Sequence, residues 1–343
     1  MFRQTLLYLS GNPAARRLVT GTPVARKIAG RFVAGDRLDQ VLTTARALNR
    51  GGLTVSLDYL GESVTSRDEA TAATSMAVRT LEGLTAQEVD GNISIKPSQL
   101  GLDVDERFCR DNLARVLERA RELGDGGGEV FVRLDMESSD YTERTIALVE
   151  RLWEDGFRNL GTVLQSYLRR TPDDLERLLS LGSRVRLVKG AYRESGEVAF
   201  ADKPEVDRMF VDEMKTLLER GNYPAIATHD EEIIAATRRF AFEHGVRTDS
   251  FEFQMLYGVR RDLQRRLREE GYNVRVYVPF GDSWYPYLMR RMAERPANLF
   301  FVVNSVVRES PLRRVIRPVA LGAGAVAGAL GARAWRGRRD GGR

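Results

Sequence analysis

The chain has 343 residues, 53 Lys plus Arg against 48 Asp plus Glu, and a formal charge of +5. Hydrophobic residues make up 43% and charged residues 29%, which excludes a disordered tail and a membrane bundle. Cys109 is the one cysteine and His229 and His244 the two histidines, so disulfide scaffolds and Cys- or His-rich metal sites are excluded and no metal is expected.

The basic excess is small and interspersed with acids. No aromatic–basic platform or recognition helix accompanies it, so nucleic acid is not the expected partner. The N-terminal apolar run is too short for a secretory signal, and with one cysteine a cytoplasmic location is expected.

In chain order, residues 1–50 read as helical, with Leu, Val and Ala at three- and four-residue spacing, until Gly51-Gly52 breaks the pattern. One theme then repeats: a short β-branched run, a polar end and an amphipathic helix. The runs are 53–57, 92–96, 130–135, 160–165, 185–189, 225–228, 251–254 and 274–278. Helical stretches are predicted at 105–123, 142–155, 172–180, 204–221, 231–244, 258–270 and 285–294. Thr171-Pro172-Asp173-Asp174 reads as an N-cap with Pro in the first turn. Gly156, Gly221, Gly245 and Gly271 stand where helices should stop.

Eight strand–helix units imply an α/β fold, a (βα)8 TIM-type barrel with N-terminal helices and a final helix covering the mouth formed by the strand C-termini. A doubly wound sheet is the rival, but no dinucleotide fingerprint follows the first strand. The expected segments are 1–50 (helical), 51–310 (catalytic barrel) and 311–343 (a basic and apolar tail).

A barrel places its chemistry where the strands end. Those ends carry Glu62, Lys96, Asp135, Gln165, Lys189, Thr228, His229, Gln254 and Tyr277. Lys96 and Asp135 end neighbouring strands, about 4.8 Å apart, so an ion pair is in reach. Lys189 suits either a Schiff-base nucleophile or a fixed cation for a phosphate, and spacing does not choose between them. Arg290 and Arg291 suit a carboxylate clamp or a solvated surface pair. In the tail, the apolar run after Pro318 holds roughly 15 residues, short of a bilayer span. Its flanking arginines and Trp335 suit a membrane surface, the alternative being a flexible tail.

Taken together, the strand-end strings resemble the proline dehydrogenase family. They include Ser56-Leu57-Asp58-Tyr59-Leu60-Gly61-Glu62, Ser94-Ile95-Lys96-Pro97-Ser98-Gln99-Leu100-Gly101-Leu102, Arg133-Leu134-Asp135-Met136-Glu137 and Val163-Leu164-Gln165-Ser166-Tyr167. They continue with Arg186-Leu187-Val188-Lys189-Gly190-Ala191-Tyr192, Ala227-Thr228-His229, Phe251-Glu252-Phe253-Gln254-Met255-Leu256-Tyr257-Gly258 and residues 275–294. Eight strings in register cover about residues 50–310, in the stand-alone bacterial arrangement.

The resemblance implies FAD as cofactor, L-proline as substrate and a membrane quinone as electron acceptor. The reaction would move a hydride from proline C5 to flavin N5, giving 1-pyrroline-5-carboxylate, the first step of proline catabolism. It assigns Met136, Gln165, Val188, Lys189, Gly190, Thr228 and His229 to the flavin, and Arg186 to the flavin N5. Arg290 and Arg291 would bind the substrate carboxylate, and Lys96, Asp135 and Tyr277 would complete the substrate side. Glu62 would pair with Arg290 as a gate. Relatives often carry Asn at position 230, where this chain has Asp230, and bifunctional relatives often carry Trp where it has Arg193. A lyase using Lys189 and a hydroxyproline-preferring dehydrogenase are the alternatives.

Overall fold

The computed structural model describes residues 29–61, 64–124 and 130–294, with side chains described as far as 289. Within the compact unit Ala29–Tyr287, eight parallel strands close into a barrel in sequence order. They are β1 (Thr54–Tyr59), β2 (Gly91–Ile95), β3 (Val132–Leu134), β4 (Leu160–Gln165), β5 (Val185–Val188), β6 (Ala225–Ala227), β7 (Glu252–Leu256) and β8 (Asn273–Phe280). Closure is made by β8 against β1, with Ser56 in register with Tyr277 and Asp58 with Pro279. The expected (βα)8 architecture is therefore present.

The helices are α1 (Leu38–Arg50), α2 (Arg67–Ala86), α3 (Glu106–Leu123), α4 (Ser139–Glu154), α5 (Thr171–Leu181), α6 (Lys203–Arg220), α7 (Glu231–Glu243), α8 (Arg261–Glu269) and α9 (Trp284–Glu294). Helix α3 shows why they form. Cys109, Leu113, Val116, Leu117 and Ala120 recur on one buried stripe, and the Asp105 carboxylate caps the start by accepting from Phe108 N. The stripes of such helices and the outward apolar residues of the strands make one continuous core. Helix α1 joins it through Val41, Leu42 and Ala45, so the last part of segment 1–50 folds with the barrel.

Two local expectations differ from the structure. Thr171 is not an N-cap: Arg170 holds that position, and Thr171 Oγ1 donates to Gln165 O at 2.6 Å, tying α5 back to the end of β4. The sequence predicts no helix at α2, because its buried stripe begins with Ala70, Thr74, Ala77 and Thr80, and strongly apolar side chains enter only at Leu81 and Leu84. Its start was legible: Ser66 Oγ accepts from Glu69 N, and the Glu69 carboxylate accepts from Thr65 N, a variant of the capping box.

Candidate active site

Strand alternation builds the site. Ser56 and Asp58 of β1, Ser94 of β2, Arg133 of β3, Arg186 of β5, Glu252 and Gln254 of β7, and Arg275 and Tyr277 of β8 recur every second residue. Arg186 contacts Asp135, Ser94, Ser56 and Gln254, which belong to four other strands or their ends, so these side chains meet across the interior. Barrel interiors are ordinarily filled by branched apolar residues; this one is polar and charged.

Asp135, just past β3, is the hub. Its Oδ1 accepts from Arg186 Nη1 at 2.8 Å, and its Oδ2 accepts from the Tyr277 hydroxyl at 2.7 Å and from Lys96 Nζ at 3.5 Å. The expected Lys96–Asp135 pair thus forms, though each group has a shorter contact elsewhere. Lys96 Nζ lies nearer Asp58 Oδ1, at 3.2 Å, and the shortest contacts of Asp135 are those with Arg186 and Tyr277. All four of Asp58, Lys96, Asp135 and Arg186 are buried. Burial alone would push the Asp135 carboxyl up, but the Lys96 and Arg186 charges and the Tyr277 hydroxyl outweigh it, holding the group below the usual carboxylate range. Burial together with the Asp135 and Asp58 charges drives the Tyr277 phenol well above its ordinary value, so it stays a donor. The Arg186 guanidinium carbon stands 5.2 Å from the Tyr277 ring centroid, a cation–π contact.

The second group of expected residues forms an arc on adjacent strand ends. Gln165 is in register with Val188, and Arg186 with Ala225. Gln165 Nε2 donates to Glu137 O at 2.8 Å, Met136 and Thr228 are buried, and Val188, Lys189, Gly190 and His229 are half-buried at the rim. His229 Nε2 accepts from Leu256 N at 3.0 Å, which puts a ring proton at Nδ1. Thr228 Oγ1 accepts from Asp230 N. Gly190 has φ +108°, and a Cβ there would stand 2.1 Å from the Tyr167 ring, so only glycine carries the chain past that ring.

Lys189 has partners that the sequence did not reveal. Its Nζ lies 2.6 Å from Asp207 Oδ1 and 2.8 Å from Asp230 Oδ2. Of the remaining expectations, Glu62 lies outside the described residues. Arg290 and Arg291 fall in α9, but their side chains are outside the described set.

Sequence reasoning assigned no role to Asp58, Ser56, Ser94, Glu252 or Arg275. The available signal was the polar residue at every second place in strands otherwise rich in Val, Leu and Ile. Among the described residues, no group of His, Cys, Asp and Glu is arranged to hold a metal ion.

These features define a (βα)8-barrel protein with a buried cation–carboxylate cluster at the C-terminal end of its strands. Residues 41–304 match the family model described as Proline dehydrogenase. The chain is 39% identical over 311 residues to "Proline dehydrogenase 1" of Bacillus subtilis (strain 168), covering 90% of this chain and 100% of that protein. It is 38% identical over 312 residues to "Proline dehydrogenase" of Deinococcus radiodurans, covering 90% of this chain and 98% of that one. Among solved structures, proline utilization A from Bdellovibrio bacteriovorus, inactivated by N-propargylglycine, superposes with a TM-score of 0.73 at 26% identity. That match covers 85% of this chain and 35% of the longer one. The chain belongs to the proline dehydrogenase family, oxidoreductases that act on proline.

Proposed function

We propose that this protein oxidises L-proline to 1-pyrroline-5-carboxylate, with FAD bound across the barrel mouth and a membrane quinone as the final electron acceptor. One observation carries the reading: Lys96, Arg186 and Tyr277 converge on the single carboxylate of Asp135 at the strand ends. That cluster is preorganised and buried, as a site that must orient one small zwitterion requires.

The residues of the arc fit a flavin nucleotide. Lys189 is a cation at the rim, suited to a diphosphate. Gly190 brings bare backbone to the surface beside it, and Val188 and Met136 offer apolar contact to a flat ring. Thr228, His229 and Gln165 supply hydrogen-bonding groups on neighbouring strand ends, and Arg186 supplies positive charge from below. FAD held there would supply a two-electron acceptor for the hydride of proline C5. Arg186 would hold a fixed positive charge next to the flavin ring, where negative charge develops on reduction.

The chain's own groups do the rest. Arg290 and Arg291 on α9 grip the proline carboxylate through paired N–H···O bonds. Tyr277 abuts the pyrrolidine ring, and Lys96 and Asp135 hold Tyr277 and Arg186 in place. Glu62 pairs with Arg290 to close the mouth and exclude water. Residues 311–343 bring the enzyme to the inner surface of the plasma membrane, where the quinone resides. Among the described residues no helix is long and apolar enough to cross a membrane.

The lyase reading loses support from the geometry of Lys189. A Schiff-base nucleophile needs a neutral amine with a free approach, and this Nζ donates to Asp230 and abuts Asp207. The test is product analysis. Incubation with L-proline and an artificial electron acceptor should yield a cyclic imine lighter by two hydrogens, with slower conversion of hydroxyproline. Faster conversion of hydroxyproline would reassign the substrate.

A further inference from the structure

The polar interior continues below Arg186, and the reading above gives that lower part no role. Arg186 Nε donates to Gln254 Oε1 at 2.5 Å, and Gln254 Nε2 donates to Glu252 Oε1 at 2.5 Å. The Glu252 carboxylate is held by Arg275 Nε at 2.9 and 3.0 Å, and Arg275 Nη1 donates to Val55 O at 2.9 Å. Glu252, Gln254 and Arg186 are 2%, 3% and 4% exposed, so water does not substitute for these partners.

Residue chemistry gives this column a direction. A guanidinium only donates and a carboxylate only accepts, whereas an amide does both. Between Arg186 and Glu252, one orientation of the Gln254 amide satisfies both neighbours. The reverse would set NH2 against a guanidinium and C=O against a carboxylate, losing two buried hydrogen bonds. The Glu252 carboxylate is kept charged: burial pushes it up, but Arg275 holds it below its ordinary range. With Nε on Gln254, Nη1 on Asp135 and Nη2 on Ser94 at 2.9 Å, the Arg186 guanidinium is fixed on three sides.

We propose that Gln254 is a positioning residue for Arg186, its amide oriented by the Glu252–Arg275 pair so that its carbonyl aims the guanidinium at the reacting end of the barrel. This rests on the reading of Arg186 as the cation beside the flavin. Gln254 is 3% exposed and bonds to Arg186 and Glu252, so its role runs through Arg186. Its removal loosens Arg186 without emptying the site.

The test is a double-variant cycle on the FAD-loaded enzyme. The flavin midpoint potential is measured by chemical reduction, and kcat and KM for L-proline are measured separately. Gln254→Met keeps the length of the side chain and deletes the carbonyl. In the native background it should lower the potential and reduce kcat roughly tenfold, with KM changed far less. In an Arg186→Met background the same substitution should move neither the potential nor kcat. Gln254→Asn, too short to span both neighbours, should act in the same direction and serves if Gln254→Met fails to fold. An unchanged potential in both single variants, or an equal shift in both backgrounds, overturns the inference. Failure of the parent protein to bind FAD at all overturns the underlying functional reading instead.

Discussion

Arg186 and Asp135, 51 residues apart in the chain, meet inside the barrel with Nη1 and Oδ1 2.8 Å apart. That contact joins two groups of strand-end residues: Asp135 gathers Lys96 and Tyr277, assigned to the substrate in the function proposed above, and Arg186 stands next to the arc assigned there to the flavin. It is also a vulnerable point of the interior, since each partner is buried and charged.

Asp135→Asn therefore removes the one anion that Arg186 and Tyr277 share. Breaking a buried pair from one side costs about 3–5 kcal/mol, because the cation left behind stays desolvated. Urea unfolding should show a loss of that order, and proline turnover should fall at least about tenfold. Unaltered stability with native turnover would remove Asp135 from the centre of the site.

Arg291→Met should raise the KM for L-proline while leaving flavin content unchanged. A charge-assisted hydrogen bond contributes about 1.5–3 kcal/mol, which corresponds to roughly a ten- to hundredfold rise. Steady-state kinetics over a wide proline range checks this, and an unchanged KM takes Arg291 out of the carboxylate clamp.

Asp230→Asn should tighten FAD binding. Asp230 and Asp207 both sit on Lys189, so they partly cancel the charge offered to a diphosphate. The Asp230 carboxylate also caps α7 by accepting from Glu232 N, a task asparagine performs as well. Removing one partly exposed charge contributes about 0.2–1 kcal/mol, so flavin titration of apoprotein should show an affinity gain of up to about fivefold. Weaker binding would mean that Asp230 presents Lys189 to the phosphates instead of competing for it.

Glu213, on α6, gives a pH signature unrelated to catalysis. It is 4% exposed, its carboxyl oxygens make no well-formed hydrogen bond among the described residues, and burial, offset only in part by the nearby Ser166 hydroxyl, pushes it up to about 7 from 4.5. Its folded value lies above its unfolded one, so the folded state holds the proton more firmly. Its contribution to stability is full below about pH 4.5 and is lost as pH rises to about 7, by about 3 kcal/mol in all. Glu213→Gln should abolish that slope, so the variant gains on the parent between about pH 5 and about pH 8 in urea unfolding. Parallel pH profiles would show that the carboxyl has a partner there.

The barrel was legible because each strand carries a short Val-, Ile- and Leu-rich run and each helix an apolar stripe, and 160–165 coincides with β4 to the residue. Strand ends drifted by one or two residues elsewhere, since polar side chains continue β1 into Asp58 and Tyr59. The members of the site were legible as strand-end residues, but their partners were not. Adjacent strands suggested Lys96 with Asp135, whereas Asp58 reaches Lys96 from the other neighbouring strand at closer range. Arg186 finds Gln254 across the interior, a contact that the shear of the closed barrel sets and linear order does not. Thr171 looked like a cap because Thr-Pro-Asp-Asp carries every local signal, yet its hydroxyl found a buried carbonyl at the end of β4.

The visible spectrum of the purified protein under anaerobic conditions tests the central claim most directly. The account predicts a flavin band that bleaches on adding L-proline and returns with a quinone. A protein reconstituted with FAD whose band persists unchanged in excess L-proline would contradict it.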